Sequence, residues 1–181
     1  MAALRNLATT ALFTALLISG ACRGKYHRAA IENEEPAAAS PRVSSSLKMG
    51  DAGSSAQMVK GVYGVESGSW RWTSGHFSIL LRAPLAAAQH GGTLTFSFTI
   101  PDVVYQKLGK LTMTVSTAGK KLHSDSFATA GAHTLTADVP ADMLIKDTVT
   151  FDFDLDKSIP ASATDSRELG VIATAISLES K

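Results

Sequence analysis

The residues of this chain best suited to chemistry lie close together. Gly61-Val62-Tyr63-Gly64-Val65-Glu66 is followed by Trp70-Arg71-Trp72, and these are the only two tryptophans of the chain. Residues two apart on a strand share a face, so a strand here sets Trp70 and Trp72 side by side with Arg71 on the opposite face. Exposed indole rings stack on the apolar CH faces of sugars, while neighbouring Glu or Arg side chains exchange hydrogen bonds with hydroxyls. That chemistry is glycan binding. The competing account makes Trp72 part of the core and Trp70 a plug at one end of a sandwich, a common fate of tryptophan in a small β domain.

Other candidates carry less. Asp152, Asp154 and Asp156 alternate, which puts them on one strand face about 6.6 Å apart per step. A calcium cage takes six to eight oxygens, usually from a wrapping loop, so a solvated outer face is expected instead. Among five histidines, His123 with Asp125 is the only close pair with an acid on one strand face, whereas a metal site needs three or more ligands. No metal site and no cofactor is expected. Ser45 and Lys48 match S-x-x-K in spacing but sit in linker-like text. The chain lacks G-x-S-x-G, H-E-x-x-H, C-x-x-C and a P-loop, which favours a binding role over a catalytic one.

The elements that must position these residues read as strands. Phe77, Ile79 and Leu81 fall on one face of a strand over 76–82, and Leu94, Phe96, Phe98 and Ile100 alternate with Thr95, Ser97 and Thr99. The same period of two recurs at Leu111, Met113 and Val115, and at Leu135, Ala137 and Val139. It is cleanest over 148–156, with Val149, Phe151, Phe153 and Leu155 expected inside. Val171 to Leu178 supplies a last strand. Gly91-Gly92, Ala118-Gly119, Ala130-Gly131 and Pro140 punctuate the runs, at the spacing of an antiparallel sandwich. Only Pro101 to Leu108 and Ala141 to Lys146 have room for a helical turn or two. The expected fold is all-β: a single antiparallel two-sheet β-sandwich, jelly-roll-like, of about eight strands.

The N-terminal text gives an address. Met1 to Arg5 carries one positive charge, and Leu7 to Ile18 is apolar and uncharged. That run falls short of the about 20 residues of a spanning helix and within the about 7 to 15 of a signal h-region. Leu17-Ile18-Ser19-Gly20-Ala21-Cys22 resembles a bacterial lipobox, which implies acylation of Cys22 with palmitate-type chains and a lipid anchor in a membrane. Ser19 stands where that pattern usually has an aliphatic residue, which keeps ordinary cleavage after Ala21 open. Cys22 is the only cysteine, so no disulfide within the chain can form, and a lone free thiol in an oxidising compartment is a liability that acylation removes. The domain must be held by burial, for which its length suffices.

From Ala29 to about Gln57 the chain turns to Ala, Ser, Pro, Gly and acidic residues, composition that cannot bury enough to offset its ordering entropy. The expected organisation is a signal peptide over 1–21, lipidated Cys22 with a disordered linker over 22–57, and the sandwich over 58–181. Seventeen basic residues against 16 acidic ones argue against a nucleic-acid partner, which calls for a basic excess on one face. The local cluster Arg23, Lys25, His27 and Arg28 lies beside the proposed anchor, where it can meet anionic head groups or simply water.

The order G-V-Y-G-V-E, W-R-W-T-S-G and finally Asp165-Ser166-Arg167-Glu168-Leu169-Gly170-Val171 resembles a β-sandwich domain appended to bacterial envelope proteins of the phosphoglycerol-transferase-like and glycosyltransferase-like kinds. The resemblance covers about 59–180. It implies a non-catalytic sandwich in the cell envelope; here no transferase accompanies it. Read physically, motifs at the two ends of the domain imply that the first and last strands meet. Arg167, able to grip a carboxylate with two bonds, is expected to pair with Glu66 or Asp165 near Trp72, largely buried, either as a closure of the sandwich or as part of a ligand site.

These readings lead to a non-enzymatic, lipid-anchored envelope protein that binds glycan or another envelope component through Trp70, Trp72, Arg71, Glu66, Arg167 and Asp165. A structural or assembly lipoprotein that docks on a protein partner is the alternative, and an enzyme of unrecognised type the third. Arg23 after the cysteine, where an aspartate would retain many such lipoproteins, favours the outer membrane if the cell has one.

Overall fold

The computed structural model describes residues 42–181. The expected signal peptide, Cys22 and residues 22–41 of the expected linker lie outside the described residues. Nine strands follow one another: β1 Ser46–Lys48, β2 Met58–Glu66, β3 Trp70–Arg82, β4 Gly92–Ile100, β5 Leu111–Thr117, β6 Lys120–Phe127, β7 Gly131–Val139, β8 Thr148–Leu155 and β9 Ile172–Ser180. Two short helices, α1 Ala87–His90 and α2 Asp102–Leu108, interrupt them. No described helix is long and apolar enough to cross a membrane.

All strand pairs are antiparallel, in the order β6-β5-β8-β3-β9-β4-β7, with β1 added to β9 and β2 to β3. The all-β sandwich expected from the alternation is what forms. Strand β3 belongs to both layers: His76 to Arg82 pair with β8, whereas Arg71 and Trp72 pair with β9. The alternating apolar residues meet between the layers. Phe77 and Phe153 stack at 4.8 Å, and Phe96 of the other layer packs on both, at 5.6 and 4.8 Å. Phe151 and Phe153 are fully buried, as their parity requires. At the far edge Phe127 of β6 packs on Phe98 of β4 and His133 of β7, each 5.0 Å between ring centroids, which closes the apolar interior there.

One boundary differs from expectation. Residues 46–57 are part of the fold, not of a disordered linker. Leu47 and Met49 enter the core at 6 % and 0 % exposure, and β1 pairs with β9 through Ser46, Leu47 and Lys48. A 3-10 turn over Ala52–Gln57 follows. Buried Gln57 clamps the segment, since its amide donates to Ser44 O and Leu80 O at 3.0 and 2.6 Å and accepts from Ser44 N–H at 2.8 Å. The reason is that two apolar side chains suffice when a sheet edge and a core already wait for them, and composition within the segment does not report on either.

Candidate functional site

The β2–β3 hairpin builds the site. Its loop places Ser67 and Gly68 in the left-handed region, with φ of 49° and 65°, a conformation glycine adopts at no steric cost. Glu66 is thereby set directly opposite Trp70. Trp70 and Trp72 share the outer face of β3, with ring centroids 6.3 Å apart and planes at 82°, an edge-to-face pair. Both are partly buried, and Trp72 rests against the core. The two alternatives of the sequence, core tryptophan and open platform, are thus each met halfway.

The chain after β8 brings the second half of the site. Ile159 and Leu169 exchange backbone hydrogen bonds at 2.8 and 2.9 Å, and Gly170 N–H donates to Thr73 O at 2.7 Å. A Cβ on Gly170 would lie 2.6 Å from Ser74 O, so only glycine permits this approach. Asp165 Oδ1 accepts the Arg167 N–H at 3.0 Å, an Asx-type turn that fixes both side chains. Arg167 then donates through Nε and Nη2 to the two oxygens of Asp165, each at 3.0 Å, and through Nη1 to Glu66 Oε1 at 2.6 Å. Its guanidinium carbon sits 5.5 Å from the centre of the Tyr63 ring.

The expected grip of Arg167 on Glu66 and Asp165 is therefore present, with both carboxylates engaged. The three side chains are not largely buried, however: they remain 33 to 37 % exposed. They sit at the mouth of the hairpin, partly open to solvent. Hydrogen bonds from Arg167 hold the Asp165 carboxyl below its ordinary value of 3.8. The same carboxylate, then Glu66, raises the pKa of Arg167. Two carboxylates against one guanidinium leave the cluster with one net negative charge.

Arg71 does not join them. It is 4 % exposed and points inward, where Nε donates to Met49 O at 2.9 Å, Nη1 to Tyr63 O at 3.1 Å, and Nη2 to the hydroxyls of Ser54 and Ser55 at 3.2 and 2.8 Å. The expectation of a sugar-contacting Arg71 is corrected on this point, because its donors are consumed inside the protein. Burial lowers its pKa. A buried cation needs such acceptors, and all but Tyr63 O come from residues 49–55.

Other candidates separate. Asp152 accepts from Ser78 Oγ at 2.6 Å, Asp154 hydrogen-bonds His76, and Asp156 accepts the Thr112 N–H at 2.7 Å. Each carboxylate has its own protein partner. His123 and Asp125 are both exposed, and no group of three or more metal-ligating side chains converges among the described residues. Tyr63 is the member of the cluster that sequence reasoning passed over, although it lies within the quoted Gly-aromatic motif. The His76–Asp154 pair was missed because its partners are 78 residues apart.

No family model and no curated protein sequence matches the chain. Among solved structures, a family GH115 4-O-methyl-α-glucuronidase with specificity for decorated arabinogalactans aligns at 13 % identity and a TM-score of 0.46, over 77 % of this chain and 18 % of that one. An exo-β-1,3-galactanase from Phanerochaete chrysosporium aligns at 10 % identity and 0.41, over 76 % and 29 %. A CBM4 structure aligns at 18 % identity and 0.30, over 74 % of this chain and 81 % of that one. This chain thus spans less than a third of the first two proteins. With all three TM-scores below 0.5, the likeness carries no argument about function.

Proposed function

We propose that this protein is a non-catalytic, lipid-anchored component of a bacterial cell envelope, whose sandwich holds a glycan at the β2–β3 hairpin. One observation carries the reading: Tyr63 lies under the guanidinium of a charge network that is a third exposed, and Trp70, paired edge to face with Trp72, stands opposite Glu66 of that network. Such a surface offers apolar faces for sugar CH groups and oriented carboxylate oxygens for hydroxyls. The anchor belongs to the same proposal, through Cys22 and the resemblance to envelope-attached sandwich domains.

A protein-docking role has its own support in Val59 and Val65, which are 59 % and 38 % exposed on β2, a strand paired on one side only among the described residues. Against it, the pairing of β2 is broken by three register shifts, and an edge bent in this way presents a poor template for another strand. The glycan reading is preferred.

The test is a glycan array probed with the full chain and with Trp70→Ala. Trp70→Ala is expected to abolish binding while the thermal melt stays cooperative. Binding that survives the substitution, or an array on which the wild type is silent, refutes the reading. Metabolic labelling with a palmitate analogue is expected to mark wild type and not Cys22→Ser, and equal labelling of both removes the anchor.

A further inference from the structure

A cleft of about 800 Å³ opens on the outer surface of β8 and β3, lined by Leu80, Thr150 and Asp152 and, before β8, by Met143, Ile145 and Lys146. Leu80 lies ten residues along β3 from Trp70, about 33 Å at ordinary strand rise, so this cleft is separate from the hairpin cluster. Its volume falls in the range of small-molecule sites.

The chemistry of the cleft narrows what fits. Its floor strand, β8, is hydrogen-bonded to β3 throughout, whereas on its other side β5 reaches only to Phe151, with the Thr117 hydroxyl donating to Thr150 O beyond it. The floor carries the outward residues Thr148, Thr150 and Asp152. Asp152 Oδ1 is occupied by Ser78 Oγ at 2.6 Å, which aims the carboxylate and leaves its other oxygen for a donor. A purely hydrocarbon ligand would strip water from that carboxylate without replacing its hydrogen bonds, at high cost. An anion is disfavoured because Asp142 and Asp152 outnumber Lys146. The walls add Met143 and Ile145, the latter 73 % exposed, and Leu80 supplies an apolar patch beside Thr150. A fitting molecule has hydrogen-bond donors around its rim, apolar CH faces and no negative charge.

We infer that this cleft is a second carbohydrate site, one without aromatic residues, that takes a short neutral or amine-bearing oligosaccharide. It stands independently of the hairpin site and uses different residues.

The experiment is an amide-resolved NMR titration of the full chain with three probes: a neutral glucose tetramer, a glucosamine tetramer and a galacturonate tetramer. Shifts at residues 142–152 are expected with one or both of the first two and not with the third. Ile145→Asp, at a position too exposed to disturb the fold, is expected to weaken that binding at least tenfold. Asp152→Asn, which still accepts from Ser78, is expected to weaken the glucosamine tetramer more than the glucose tetramer. Trp70→Ala is expected to leave the cleft response unchanged. Silence of 142–152 with both uncharged and amine probes, equal response to galacturonate, or an Ile145→Asp variant that binds as wild type would each overturn the inference. Shifts confined to the hairpin overturn the cleft alone, and shifts confined to the cleft overturn the hairpin reading alone.

Discussion

Met49→Ala tests most directly whether residues 46–57 belong to the folded domain. Met49 is fully buried, so truncating it forfeits most of the transfer free energy of a core side chain, about 1.5–3 kcal/mol, and leaves a cavity that raises the total to about 2–5 kcal/mol. The cavity has little freedom to collapse, because the main chain of Met49 is held on both sides: its N–H donates to Thr174 O at 2.9 Å, and its carbonyl accepts from Arg71 Nε at 2.9 Å. The upper half of the range is therefore expected. For a domain of this size that upper half corresponds to a fall in melting temperature of about 7–20 °C. Urea denaturation of the full chain measures it, with Lys48→Ala as the control. Lys48 is exposed, so its loss should stay within about 0.5 kcal/mol. If both variants match wild type, the segment is not packed against the sandwich and the assignment of β1 is wrong.

Phe153→Ala should cost about 3–5 kcal/mol in the same assay, and Asp152→Ala about 1–3 kcal/mol, because it strands the hydroxyl of Ser78 on a residue only 4 % exposed; an Asp152→Ala variant as stable as wild type would place that hydroxyl in water. Arg167→Ala should cost about 1 kcal/mol, not the several expected of a buried triad, since its partners are a third exposed. Asp165, held below its ordinary 3.8 in the folded protein, stabilises the fold at pH values above that and loses its contribution as pH falls below it. The melting-temperature gap between wild type and Asp165→Asn should accordingly be full above about pH 5 and close below about pH 4; a gap constant across that window excludes the ion pair as its source.

What could be read from the sequence divides by how far apart the determining residues lie. Strand β8 was legible because Phe151 and Phe153 alternate with aspartates, so one local pattern states both faces of the sheet. Strand β6 carries no such pattern: Lys120, Lys121, His123 and Asp125 are exposed and Leu122 only partly buried. It is placed by the hairpin at Ala118-Gly119, whose φ angles of 47° and 75° turn the chain back on β5. That turn was visible as punctuation, but the strand beyond it was not. The parity that put Arg71 opposite the tryptophans was correct, and the misplaced boundary at residue 58 hid its consequence. An inward guanidinium requires acceptors, and besides Tyr63 O these are Met49 O, Ser54 and Ser55, in text whose composition read as linker. The two discrepancies therefore have one cause. The Glu66–Arg167–Asp165 network was foreseen because its motifs are short and chemically complementary, whereas its exposure depends on what surrounds the hairpin, which no local pattern encodes.

The position of β9 in the sheet order constrains how the molecule comes into being. This strand is last of the nine in sequence yet lies between β3 and β4 and receives β1 on its edge. A chain that emerges with its N-terminus first, from a ribosome or through a membrane pore, can form the hairpins β2–β3 and β5–β6 early. It cannot join its two layers until the residues around 172–180 have cleared the exit. Closure therefore waits for β9 and joins residues as distant in sequence as Ser46 and Ser177, and contacts at such separations are slow to form. Until then the edge of β4 that β9 occupies stays open, and β1, with Leu47 and Met49, has no strand to pair with.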